Sequence, residues 1–321
     1  MGRAGEDVLL ACVTWNSARH VASFIDSLRA GLEGVDKWRL VVVDNGSADE
    51  TVRIVRSHCP TAIVIENEWN AGYAGGINAA LALLGPASDL VVCNPDVRLG
   101  PGCVRQLLDA FREPGVGIAC PLQRGPDGAV LPTLRSEPSV RRALGEAILG
   151  GRRAGKLPGW GELEMRPSAY TFAHSVAWAT GSLLAVSAGC LRAVGPWDER
   201  YFLYSEETDF ALRARDKGYA VRFVPGAVCT HETGESHESP MLWALLTVNR
   251  ARLFRVRHSA WSSAAFRGAL LLGETMRSLG AGGEVHRCAV RLLLTSSAGL
   301  QRHIGALRAG PASFPHLVHK A

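Results

Sequence analysis

Val41-Val42-Val43-Asp44-Asn45-Gly46-Ser47-Ala48-Asp49 is the stretch on which the fold turns. Three β-branched residues in a row, with no polar alternation, read as a strand buried on both faces. The run ends in a carboxylate, and a tight polar turn then opens a helix. Working outward, further short apolar runs predict strands at 8–14, 39–43, 61–65, 89–93 and 116–120. Helical patterns lie between them at 18–30, 48–57, 75–84 and 101–112. Strand–helix alternation of this kind predicts an α/β fold with a mostly parallel, doubly wound sheet flanked by helices.

Residues 122–170 are rich in Pro, Gly and Arg and predict a long excursion over the sheet, with one helix near 139–149. A second patterned block follows: an apolar run at 176–186, a helix at 206–217 and a strand at 219–224. Three helices are expected near 241–257, 262–279 and 284–307. The division expected is a catalytic domain over 1–240 and a basic helical extension over 241–321.

The chain has 321 residues, 47% of them hydrophobic and 20% charged, which excludes a disordered or collagenous protein. Eight scattered cysteines form no Cys-x-x-Cys pair and mostly sit in apolar runs, so a reducing cytoplasm is expected. Residues 2–7 are polar and charged, so no secretory leader is expected. No window of 18 apolar residues predicts a membrane span. The net charge of +5 is uneven. Residues 241–321 hold ten arginines and one lysine against Glu274 and Glu284, a balance of +9, which leaves −4 for the first 240 residues.

Four stretches carry candidate chemistry. In open α/β sheets ligands bind beyond the carboxyl ends of the strands. Asp44 and Asn45 stand there, and Thr14, Trp15 and Asn16 end the first strand beside them. Asp44 and Asp49 equally suit a turn and a helix N-cap. The second stretch is Asn67-Glu68-Trp69-Asn70-Ala71-Gly72-Tyr73-Ala74-Gly75-Gly76-Ile77-Asn78. Its glycines precede a helix, where backbone can approach a phosphate or ribose. They follow the third strand with the wrong spacing for a dinucleotide fingerprint, which excludes a Rossmann dehydrogenase. Third, Val91-Val92-Cys93-Asn94-Pro95-Asp96-Val97 ends a strand with Asn94 and Asp96 on one face. A carboxylate there suits a divalent ion, Mg2+ or Mn2+, with oxygen ligands; a plain Asn-Pro-Asp turn is the alternative. Fourth, Gly195–Phe210 joins aromatic residues to the acids Glu206, Glu207 and Asp209 at a helix start, with Arg213 after it. Acids there suit the helix dipole, and they also suit a general base beside a sugar platform. His231 follows the last strand of the block.

In this order the motifs resemble the family-2 inverting glycosyltransferases, most closely the bacterial rhamnosyltransferase-like branch. The resemblance rests on Asp44–Ser47, Asn70–Asn78, Asn94–Val97, Gly195–Asp209 and Pro225–His231, and spans about residues 8–231. It implies a GT-A fold, a nucleotide-sugar donor and a divalent metal. By resemblance Asp44 contacts the nucleoside. Asp96 stands at the metal position, with Asn94 in place of a first Asp, and His231 helps hold the metal or diphosphate. Thr14, Asn16, Asn45, Asn70, Gly72 and Asn78 lie on the donor side. Glu207 occupies the place of the usual catalytic Asp, with Asp209 as second candidate. Arg213 matches an arginine that pairs with an acid or neutralises phosphate.

The resemblance implies direct displacement, with an acceptor hydroxyl deprotonated as it attacks the anomeric carbon. The donor suggested is dTDP-L-rhamnose, and the acceptor a glycan, a lipid-linked saccharide or a small molecule. The Glu207 departure leaves a non-catalytic nucleotide-sugar-binding protein as the competing reading. A nucleotidyltransferase would show a Gly-rich basic loop near the N-terminus, and there is none. No nucleic-acid partner is expected. The basic helix 241–257, with Arg252, Arg255 and Arg257, predicts either packing on the core or attachment to an anionic membrane face.

Overall fold

Among the described residues nine strands form one sheet in the order β3-β2-β1-β4-β10-β6-β11-β5, with β8 also paired to β11. The strands are β1 (Asp7–Thr14), β2 (Lys37–Asp44), β3 (Ile63–Glu66), β4 (Asp89–Cys93), β5 (Val97–Leu99), β6 (Val116–Arg124), β8 (His174–Val176), β10 (Leu183–Val186) and β11 (Ala220–His231). A separate pair joins β7 (Leu134–Arg135) to β9 (Trp178–Ala179). The computed structural model describes residues 7–232, 239–280, 282–295 and 305. They fall into two compact units. The first draws its described residues from Met1–Leu134, Pro167–Arg200 and Glu206–Thr233, the second from Arg135–Arg166, Tyr201–Ser205 and Gly234–Ala321.

The first unit holds the whole nine-stranded sheet. Side chains alternate across it, so Leu9, Ala11, Val13, Val41, Val43, Leu90 and Val92 enter one core. Val8, Leu10, Cys12, Leu40, Val42, Val91 and Cys93 enter the other. Burial on both faces is why these strands read as unbroken apolar runs. Helix Ala18–Gly31 covers one face with Val21, Phe24, Ile25 and Leu28. Helix Gly72–Leu81 covers the other with Ala74, Ile77 and Ala80. It lies so close to β1 that a Cβ on Gly76 would sit 2.5 Å from Val13 Cγ1. This is a mostly parallel mixed sheet flanked by helices, a GT-A-like fold. Parallel pairing links β3, β2, β1 and β4 and joins β6 to β11. Strand β10 runs antiparallel between β4 and β6, and β5 antiparallel on β11.

In the second unit, helices Pro240–Arg257, Ala260–Ser278 and Gly283–Leu294 lie where helices were expected. Residues 296–304, in the last expected helix, fall outside the described residues. Helix Pro240–Arg257 buries Ala244, Leu245, Thr247, Asn249, Leu253 and Phe254. Its Arg250 lies between Glu146 and Glu162, 2.8 Å from each carboxylate. Coulombic attraction to that pair raises the Arg250 guanidinium further against the cost of its burial. Packing therefore accounts for the buried face of this helix, one of the two alternatives its sequence left open. Among the described residues no helix is long and apolar enough to cross a membrane.

Candidate active site

Register builds the first part of the site. Parallel pairing sets Thr14 beside Asp44 at the carboxyl ends of β1 and β2. Thr14 Oγ1 donates to Asp44 Oδ1 at 2.8 Å, and Ser47 donates to the same carboxylate through Oγ (2.6 Å) and N (2.8 Å). Asn16, at φ 49°, ties the two loops: its N–H donates to Ser47 Oγ and its Oδ1 accepts from Ala48 N, both 2.8 Å. Asp49 accepts from the amides of Ala18 and Thr51. Burial opposes the charged carboxylate, but those bonds and the Thr51 hydroxyl hold Asp49 below its ordinary range. It ties together the first residues of helices Ala18–Gly31 and Thr51–His58, a structural role.

The Asn67–Asn78 segment is braced from both ends. Asn45 Nδ2 donates to Gly72 O at 3.0 Å while its Oδ1 accepts from Asn67 Nδ2 at 2.9 Å. Asn70 Oδ1 accepts from Gly72 N at 2.9 Å, and Gly72 takes a left-handed φ of 80°. Asn78 is turned away from the β1–β2 crevice: it bonds both the N–H and the C=O of Trp197, and Glu199 Oε1. Gly75 and Gly76 are required by packing, because a Cβ on either would press on Ala71 or Val13. Helix packing therefore accounts for these two glycines without a phosphate.

Asp96 and His231 meet through β5 and β11, where His231 pairs with Val97. His231 Nε2 lies 3.2 Å from Asp96 Oδ2, and Asp96 Oδ1 is buried with no hydrogen-bond partner. The other ring nitrogen, Nδ1, faces Gln123 Oε1 at 3.1 Å. An amide oxygen only accepts, so Nδ1 donates to Gln123 and Nε2 is the ring nitrogen that faces Asp96. Ser182 Oγ donates to the same Gln123 oxygen at 2.9 Å, and Ser182 O accepts from Asn94 N at 2.8 Å. Gln123 and Ser182 were not foreseen. Gln123 directly follows an apolar run in the sequence, and the structure leaves it 1% exposed.

Glu207 enters from helix Glu206–Asp216. Its Cβ lies 3.2 Å from the place a Cβ on Gly181 would take, so Gly181 makes room for it. The Gly181 carbonyl accepts from Tyr73 Oη at 2.9 Å. Residues 181–182 thus join Glu207 and Tyr73 on one side to Gln123, His231 and Asp96 on the other. Burial, with the nearby thiols and the carboxylates of Glu206 and Glu207, holds the Tyr73 phenol well above its ordinary value. Asp209 and Arg213 are engaged elsewhere. Arg213 donates to Asp209 Oδ2 at 2.7 Å and to the carbonyls of Val194 and Pro196. It also lies over the Phe210 ring, which stacks on Trp197 at 3.8 Å. That knot anchors the helix, with Arg213 paired to an acid, one of the two roles the resemblance offered it.

Among the described residues no three His, Cys, Asp or Glu side chains gather as metal ligands. The Asp96–His231 pair still fits one divalent ion. It offers one carboxylate and one imidazole nitrogen, with an unpartnered buried oxygen and a ring held by Gln123. Ions bound beside phosphates commonly use one or two protein ligands and fill the rest with phosphate and water.

The glycosyl transferase family 2 model matches residues 11–161, and the glycosyl transferase family group 2 model matches 162–273. The chain is 32% identical over 288 residues to an N-acetylglucosaminyl-diphospho-decaprenol L-rhamnosyltransferase of Mycobacterium tuberculosis, covering 85% of this chain and 92% of that one. This chain belongs to glycosyltransferase family 2. It is a nucleotide-sugar-dependent glycosyltransferase. The low-salt glycan biosynthesis hexosyltransferase Agl10 of Haloferax volcanii is 28% identical, over 60% of this chain and 57% of that one. The GT-A fold is shared with the mannosyltransferase PcManGT of Pyrobaculum calidifontis, solved with GDP-Man and Mn2+. That match has a TM-score of 0.56 and 18% identity, and covers 97% of this family-2 chain and 83% of PcManGT.

Proposed function

We propose that this family-2 enzyme is an inverting transferase that moves L-rhamnose from dTDP-L-rhamnose to a hydroxyl of a lipid-diphosphate-linked saccharide in cell-wall assembly. It works at the cytoplasmic face of the membrane. The observation that carries the reading is the 181–182 junction, which sets Glu207 and the Asp96–His231 pair on one connected backbone. The acceptor and sugar follow the mycobacterial relative, an L-rhamnosyltransferase acting on N-acetylglucosaminyl-diphospho-decaprenol.

Glu207 is the general base: its carboxylate accepts the acceptor proton as the hydroxyl attacks the anomeric carbon. The extra methylene over an aspartate is accommodated by the missing side chain at Gly181. Asp96 and His231 would hold a divalent ion, a reading supported by the Mn2+ bound in its fold relative PcManGT, and the ion would supply Lewis acidity at the diphosphate. Gln123 fixes the His231 ring for that role. Asp44, oriented by Thr14 and Ser47, receives the nucleoside, and Asn94 and Asn16 face the same strand ends. Asn45, Asn70, Gly72, Asn78, Asp209 and Arg213 shape the site from behind.

The test is transfer from dTDP-L-rhamnose to a short-chain prenyl-diphosphate-linked N-acetylglucosamine, read as dTDP release and as product configuration. Inversion, with Glu207→Gln silent but still binding dTDP-L-rhamnose, supports the reading. Retention of configuration, or normal turnover by Glu207→Gln, overturns it.

A further inference from the structure

Helix Ala260–Ser278 is apolar on two faces. One face packs inward through Phe266, Ala269, Leu270 and Gly273. The other is exposed: Trp261, Ala264, Ala265, Gly268, Leu272 and Met276 recur at helical spacing, and Leu279 continues the line. Trp261 is 88% and Leu279 85% exposed, so the two largest groups of the stripe stand in water at its opposite ends. At a rise of about 1.5 Å per residue the stripe is about 27 Å long.

The charges around it are one-sided. Residues 239–295 contain eight arginines against Glu274 and Glu284. Glu274 is buried and taken up by Arg277, Trp243 and His286, so it adds no negative surface beside the stripe. Beside the Trp261 end lie exposed Arg255, Val256 and His258, and exposed Arg287 follows the Leu279 end. A long apolar line ending in an indole, bordered by more cations than carboxylates, with Glu284 exposed near its Leu279 end, has the chemistry of a helix lying in a lipid headgroup layer.

We propose that the exposed face of helix Ala260–Ser278 is the surface by which this enzyme docks on an anionic bilayer, with Trp261 and Leu279 entering the acyl boundary. The proposal deepens the lipid-linked reading of the acceptor and rests on it for its purpose. Docking itself needs no acceptor, so the two can fail separately.

The full chain is sedimented with vesicles of phosphatidylcholine alone and of phosphatidylcholine with phosphatidylglycerol, at low and high salt. Its companions are Trp261→Ser/Leu279→Ser and Leu272→Glu/Met276→Glu, each first shown to melt like the parent. The parent is expected to pellet with the anionic vesicles and less so in high salt. Each double variant should bind at least about tenfold more weakly, since burial of one such side chain accounts for a decade of affinity. A parent that stays in the supernatant with both vesicles overturns the proposal, as do variants that pellet equally well. A dimer in light scattering that Trp261→Ser/Leu279→Ser dissolves, without vesicle binding, assigns the stripe to a second copy instead. Turnover of a water-soluble acceptor is expected to be equal in parent and variants. Vesicle binding without transfer to any prenyl-linked acceptor would sink the acceptor reading and leave the docking surface intact.

Discussion

Replacing Asn249 with alanine removes one amide that holds three carbonyls. Asn249 is fully buried, and its Nδ2 donates to the backbone oxygens of Tyr201 (2.8 Å), Leu203 (2.9 Å) and Tyr204 (3.2 Å). Within that segment Phe202, Tyr204 and Ser205 take positive φ of 66°, 68° and 74°. Each such residue without glycine's freedom costs about 1 kcal/mol or more, so the segment persists because something outside it holds it. Losing the shared donor strands buried oxygens at about 1–3 kcal/mol in total, which is comparable with the strain it restrains. The segment runs directly into Glu206 and Glu207. Asn249→Ala is therefore expected to lower stability by about 2 kcal/mol and kcat by about ten- to a hundredfold, with the donor KM little changed. Asn249→Asp should be worse, because it turns an acceptor toward three acceptors. Urea unfolding and steady-state dTDP release measure the two effects. An alanine variant with parental stability and parental kcat would refute the clamp; lost stability with parental kcat would limit it to folding.

Three other outcomes are expected. Gln123→Leu frees the His231 ring and should weaken Mn2+ binding, measured on the protein alone, by about 10- to 100-fold; unchanged binding would deny Gln123 its orienting role. Gly76→Ala must place a Cβ 2.5 Å from Val13 Cγ1 and should cost about 1–3 kcal/mol in chemical unfolding, with a neutral result showing that the helix can lift off β1. Burial alone would raise the carboxyl of Glu274, but Arg277, Trp243 and His286 outweigh it and hold Glu274 below its ordinary value. Its contribution to stability is therefore complete above the ordinary carboxylate range and lost as pH falls through the depressed value; an acid-unfolding profile identical in Glu274→Gln would remove that assignment.

The parallel half of the sheet was legible because burial on both faces leaves runs such as Leu40–Val43 without a polar residue. Strand β6 was cut short at 120 because Pro121 reads as a breaker; the strand continues to Arg124 and carries Gln123 into the site. The direction of β10 left no trace, since four apolar residues buried on both faces read alike either way. The candidate acids were visible by type and spacing. What they do for one another was not: Arg213 and Asp209 close a knot with Val194 and Pro196, and Asn78 grips Trp197 across 119 residues. Such partners are set by tertiary contact, which local pattern does not encode.

The strand order has a consequence for synthesis of the chain. Among the described residues, strand β10 lies between β4 and β6 in the sheet path. A ribosome that has released residues up to 134 has made β1 to β6, yet only β3, β2, β1 and β4 can zip together. The open side of β4 then waits, and β6 with it, until residues 183–186 arrive some tens of residues later. At ordinary elongation rates that is several seconds during which an apolar strand edge is exposed. Truncations ending before residue 183 should accordingly aggregate through β4, whereas those that retain β10 and β11 keep every central strand paired.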